Sequence, residues 1–178
     1  MINNKPFLVL QGPVATRSGY GNHTRDLALA LIRQNKYDIQ IVSMPWGVTP
    51  MNALEENNAD HNEIIKRIAT QNINQKPDIF IQVTVPNEFQ AVGSYNIGVT
   101  AGVETTLVSP EFLQGCNRMD LVITTSQFSK AGFKETVYDQ MDKNTNQKTG
   151  TLKLDKPIEV LFEGVDTNVY KKITKTHK

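Results

Sequence analysis

Sulfur chemistry has little to work with in this chain, where a single cysteine, Cys116, stands among 178 residues. It cannot form an internal disulfide, so cysteine usage does not point to an oxidising compartment. Phe112, Leu113 and Met119 surround it with an apolar patch, which predicts a buried, structural thiol. Long apolar runs are missing too, and none approaches the ~20 residues a membrane-spanning helix needs. The first residues show neither the basic region nor the extended apolar core of a secretory signal. Without secretion, the sequon-like Asn22-His23-Thr24 has no meaning as a glycosylation site. The expectation is a cytoplasmic protein with no membrane span, peripheral association being left open.

Charge of one sign is also scarce. A formal net charge of +1 gives no electrostatic case for nucleic acid or an anionic membrane surface as partner. Lysines crowd only between Lys171 and Lys178, a short basic tail that reads as a solvated end. The three histidines, His23, His61 and His177, do not stand with Cys or carboxylates at metal-ligand spacing, so no protein-bound metal is predicted. There is no Gly-Lys-Ser/Thr phosphate loop and no Gly-x-Ser-x-Gly nucleophile elbow.

What is present is a globular composition, 39% hydrophobic and 21% charged, long enough for one domain over residues 1–170. Short apolar runs alternate with helical patterns, which predicts βαβ units: a Rossmann-like α/β three-layer sandwich with a mostly parallel sheet. Strands are expected at Phe7 to Leu10, Asp38 to Met44, Asp78 to Val85, Tyr95 to Thr100, Leu121 to Thr125 and Pro157 to Phe162. Helices are expected over Arg25 to Gln34, from Asp60 (with Glu63 as a capping box) to about Asn72, from Ser109-Pro110, and from Ser126 through Phe133 and Val137. The second of these would bury Ile64, Ile65, Ile68 and Ala69. Trp46 to Asn58 reads as loop. The polar stretch 139–156 reads as a surface hairpin or insertion with Thr149-Gly150 near its turn.

Several strand-end loops carry the residues of interest. Gly12 to Asn22 joins the first strand to the first helix, where open α/β sheets place their ligand crevice. Its glycines allow close backbone approach, and a helix N-terminus offers free N–H groups to an anion. Gly19-x-Gly21 is followed by Thr24 where a dinucleotide fingerprint wants a third small residue, so turn geometry accounts for the glycines as well as binding does. Glu104 and Thr105 follow the fourth strand. A carboxylate there can accept hydrogen bonds from sugar hydroxyls or act as a base, or it can be a solvated loop residue. Ser126 and Phe128 follow the fifth strand, where Ser126 also suits a helix cap. Glu163, Gly164 and Asp166 follow the sixth.

Read in order, these stretches resemble the N-terminal domain of group 1 (family 4-like) retaining glycosyltransferases of GT-B fold. Ser18-Gly19-Tyr20-Gly21-Asn22-His23-Thr24 leading into Leu27-Ala28-Leu29-Ala30-Leu31 is similar to the glycine-rich loop and first helix of that family. Lys76-Pro77-Asp78-Ile79-Phe80-Ile81 is similar to its third strand. Gly102-Val103-Glu104-Thr105, then Asp120 through Ser126-Gln127-Phe128-Ser129, and finally Phe162-Glu163-Gly164-Val165-Asp166, follow in the family's order. Many relatives place a histidine near the end of the fourth strand, where this chain has Val103-Glu104-Thr105.

The resemblance implies the acceptor-side half of an enzyme that moves a sugar from a nucleotide-sugar donor to a sugar or glycan acceptor. Glu104 would be the catalytic candidate, with Ser18, Gly19, Tyr20, Gly21, Asn22, Thr105, Ser126, Phe128, Glu163, Gly164 and Asp166 binding substrate. The chain itself would bind no cofactor. The C-terminal GT-B domain that holds most of the nucleotide sugar would be missing, leaving the isolated chain inactive. The rival expectation is a non-catalytic Rossmann-like module for a small ligand or protein. An NAD-dependent oxidoreductase would share the fold but lacks the fingerprint.

Overall fold

The structure, a computed structural model, describes residues 5–167 and 169–172. Asn168 and most of the expected basic tail, residues 173–178, lie outside the described residues. Strands β1 (Phe7–Gly12), β2 (Asp38–Ser43), β3 (Ile79–Val83), β4 (Tyr95–Val99), β5 (Leu121–Thr124) and β8 (Ile158–Val160) form one six-stranded sheet in the order β2-β1-β3-β4-β5-β8. Every neighbouring pair in it is parallel. With helices packed on the sheet, this is the Rossmann-like α/β fold the sequence predicts. Strand order reverses between β1 and β3, which puts the topological switch point at their C-terminal ends.

Alternation along the strands divides the core. Leu8, Leu10, Ile39, Ile41, Ile81, Val83 and Val99 pack with Ala28 of α1 (Gly19–Gln34) and Ile64 of α2 (Ala59–Ile65). On the opposite face Val122 and Ile158 pack with Leu113 and Cys116 of α3 (Pro110–Asn117) and Phe133 of α4 (Gln127–Glu135). Phe7, Val9 and Phe80 make a smaller cluster on that side. Cys116 is fully buried, and that burial pushes its thiol up to about 12. Among the described residues no helix is long and apolar enough to cross a membrane.

Several expected boundaries move, each for a local reason. Helix α1 begins at Gly19 rather than Arg25, because Ser18 takes the N-cap position and accepts from Gly21 N at 2.9 Å. Helix α2 ends at Ile65 instead of near Asn72: Ile41 N donates to Arg67 O and Ala69 N to Ile41 O, both at 2.8 Å, so Ile68 joins the outer edge of β2. Backbone groups used in that pairing are not available to a helix. The cap of α2 is Asn58, which accepts from Asp60 N and His61 N, while Asp60 instead pairs with Arg33. Val137 lies beyond α4 and is exposed.

The polar stretch is a hairpin of β6 (Tyr138–Met141) and β7 (Lys148–Leu152). Gly150 sits inside β7, not at the turn. The turn is closed by Asp142, whose Oδ1 accepts from Asn144 N and Thr145 N. These bonds stabilise the ionised form and hold its carboxyl below the usual range. Strand β8 stops at Val160 because its partner β5 ends at Thr124, whose carbonyl takes the last bond from Leu161 N.

Candidate functional site

The loop between β1 and α1 is folded around its own carbonyls. Pro13 O accepts from both Thr16 N and Thr16 Oγ1 at 2.9 Å, and Thr16 is fully buried. Arg25 reaches back from α1 to donate to Val14 O at 2.7 Å and Thr16 O at 2.9 Å, and it also holds Asn22 Oδ1. Burial draws the Arg25 guanidinium below its ordinary value, with the nearby Asp26 opposing. Gly21 packs so tightly that a Cβ would meet Thr16 Oγ1 at 2.7 Å and Pro13 O at 3.0 Å, as well as Thr16 O. Its role is therefore close packing. At Gly19 a Cβ would meet nothing within 4 Å, so that backbone is open to a ligand.

A second loop, after β2, is zipped onto the first. Met44 N donates to Gly12 O at 3.0 Å, Arg17 N to Pro50 O at 3.2 Å and Ala53 N to Ala15 O at 3.0 Å. The Arg17 side chain adds bonds to Asn52 Oδ1 and Asn52 O. Trp46 in this loop stacks on Tyr20 with ring centroids 4.2 Å apart and 25° between planes. Tyr20 in turn bonds Thr100 Oγ1 and accepts from Ala101 N, each at 3.1 Å. One tyrosine thus ties together the ends of β1, β2 and β4.

The loop after β4 is held from the other side by α4. Ser129 Oγ accepts from Val103 N at 2.9 Å and donates to Val103 O at 2.8 Å. Gly102 sits at φ 92, beyond ordinary reach of an L side chain, and a Cβ there would collide with Ser129 and Thr124. Glu104 is exposed, and no described residue hydrogen-bonds its carboxylate. Thr105 is also exposed and turns its hydroxyl to Leu107 O at 2.7 Å. Ser126 caps α4 by accepting from Ser129 N, and Phe128 is exposed beside it.

The expected site residues therefore fall into separate groups. Gly19 and Asn22 come together with Glu163, Gly164 and Asp166 around one cleft of about 400 Å³. Ser18 lines the hollow next to it, along with Arg17 and His61. Glu104, Thr105, Ser126 and Phe128 do not line that cleft. The cleft also contains a residue that sequence reasoning weighed only as a metal ligand and did not single out for binding. His23, with its side chain only 10% exposed, turns Nδ1 toward Glu163 Oε1 at 3.6 Å. Its Nε2 is buried with no hydrogen-bond partner among the described residues. Arg25 and Trp46 were likewise missed, since neither lies in a recognisable motif and their partners are distant in sequence.

A larger hollow of about 1130 Å³ lies elsewhere, beside Phe7 and Asp38 at the starts of β1 and β2. Open parallel sheets bind ligands at the carboxyl ends of their strands, so the smaller cleft beside α1 is the better candidate. Among the described residues no group of His, Cys, Asp and Glu is placed to hold a metal ion. The chain matches no family model, no curated protein and no solved structure.

Proposed function

We propose that this chain is the acceptor-side domain of a glycosyltransferase that takes its sugar from a nucleotide-sugar donor. The observation that carries this reading is the meeting of the α1 N-terminus with the Glu163-Gly164-Val165-Asp166 loop around one cleft, although they lie near opposite ends of the chain. These are the first and last of the stretches on which the resemblance rests. Free amides at the start of α1 would stabilise the leaving diphosphate, and the loops would supply positioning. The donor domain would come from a further GT-B domain, so this chain alone would bind nucleotide sugars weakly and transfer negligibly.

The test is to titrate residues 1–178 with UDP-, GDP- and ADP-sugars while following amide shifts, and to assay release of the nucleotide. Shifts centred on Gly19, Asn22 and Gly164 without turnover are expected. Robust turnover by this chain alone would overturn the half-enzyme reading. A second reading, a non-catalytic binding module, is favoured by one observation: no described residue holds the exposed Glu104 carboxylate in place. Absence of shifts with every nucleotide sugar would select it.

A further inference from the structure

The chain has one tryptophan, and it is not spent on the core. Trp46 belongs to none of the three buried clusters. It sits instead at the carboxyl edge of the sheet, partly exposed, in a loop with Pro45 and Pro50 on either side. Thr49 N donates to Trp46 O at 3.0 Å and Gly47 adopts φ 53, so a tight turn sets the direction of the indole. Part of its surface stays open to solvent, although it is not among the most exposed apolar side chains. Its ring is nonetheless held firmly: one face lies on Tyr20, Tyr20 is clamped by Thr100 and Ala101, and the loop is bonded to the β1–α1 loop at Gly12, Ala15 and Arg17.

We propose that Trp46, backed by Tyr20, is a stacking platform for a pyranose ring of the acceptor. The inference rests on the glycosyltransferase reading and names a subsite within it. The apolar face of a pyranose presents C–H groups of slight positive charge, which suit the negative face of an indole. An uncharged ring meets no desolvation penalty of the kind a charged ligand would bring. A rigid platform also lowers the ordering cost of binding, which is what the clamped Tyr20 and the bonded loop supply.

The single tryptophan makes the test direct. Maltotriose, cellotriose and triacetylchitotriose are each titrated into residues 1–178, with tryptophan emission and calorimetry read in parallel, and uridine monophosphate serves as the comparison. A saturable emission change with at least one trisaccharide is expected. Trp46→Ala should weaken that sugar roughly tenfold and Trp46→Phe only about threefold, since stacking contributes on the order of one such factor. Thermal melts of both variants check the fold, and Trp46→Phe carries the test if Trp46→Ala does not fold. Heat of sugar binding without an emission change, undiminished in Trp46→Ala, would overturn the platform and leave the glycosyltransferase reading standing. Emission that responds to uridine monophosphate and to no trisaccharide would overturn it in favour of a base site. No sugar binding by either readout would overturn both the platform and the acceptor-side reading.

Discussion

The β1–α1 loop and the segment that follows β8 face one another across the same cleft, and they are held in different ways. The first has its carbonyls taken up by Thr16, Arg25 and Met44, a fully buried threonine at its centre, and a glycine with no room for a Cβ. The second is anchored by Leu161 N on Thr124 O, the approach of Glu163 to His23, and a turn in which Asp166 O accepts from Tyr170 N. It leaves large apolar side chains in solvent, with Phe162 68% and Tyr170 71% exposed, and Gly164 has no atom within 4 Å of an added Cβ. Local stability follows buried contacts and protected backbone bonds, so one wall is preorganised and the other can move to meet a ligand or a covering domain.

Adding a single methyl group to the first wall should have the largest effect. Gly21→Ala forces a Cβ against Thr16 and Pro13, where backbone must shift, and overpacking of that kind costs about 1–3 kcal/mol. The better helix propensity of alanine offsets part of this. Each kcal/mol lowers Tm by roughly 2–4 °C in a domain of this size, so a thermal melt reads the change. An unchanged Tm would mean that the loop yields and that the contrast between the walls is false. Ser18→Ala should come next. It removes the acceptor for Gly21 N and the partner of Thr16 Oγ1, for about 1 kcal/mol, while Ser18→Asp should keep most of the cap. Urea unfolding of the pair separates a lost cap from a general loss of packing.

The contrast was only half legible in the sequence. Apolar runs such as Phe7 to Leu10 revealed the parallel sheet, and Ser109-Pro110 and Ser126 marked helix starts, because burial on both faces and capping leave local signatures. Gly19 and Gly21 misled, since two glycines read as loop. The Ser18 cap and the fit of Gly21 against Thr16 outweigh their poor helix propensity, and that fit is a tertiary fact. The early end of α2 was hidden for the same reason: only the presence of β2 shows that Ile68 has a strand edge to join. At the site, strand-end loops could be placed at the carboxyl edge of the sheet, but β3, β4 and β5 lie between β1 and β8, so the meeting of Gly19 with Gly164 could not be read from the sequence. His23 facing Glu163, Arg25 threading the loop carbonyls and Trp46 lying on Tyr20 are pairings across distant segments, which no local pattern encodes.

The smallest effect is expected in the second wall, and it is the more searching test. Gly164 lies outside the left-handed region of backbone space, and nothing stands where a Cβ would go. Gly164→Ala should therefore leave stability within about 0.5 kcal/mol of the parent, or raise it slightly by restricting the unfolded chain. Its consequence should appear in binding instead. If a ligand approaches the backbone between Gly19 and Gly164, a methyl group there obstructs it, and nucleotide-sugar shifts at Gly19 and Asn22 should shrink while Tm holds. A fall in Tm comparable to that of Gly21→Ala would show the segment to be packed as tightly as the wall it faces. The two glycines, each answering to the same substitution, thus separate a residue kept for the fold from one kept open for a ligand.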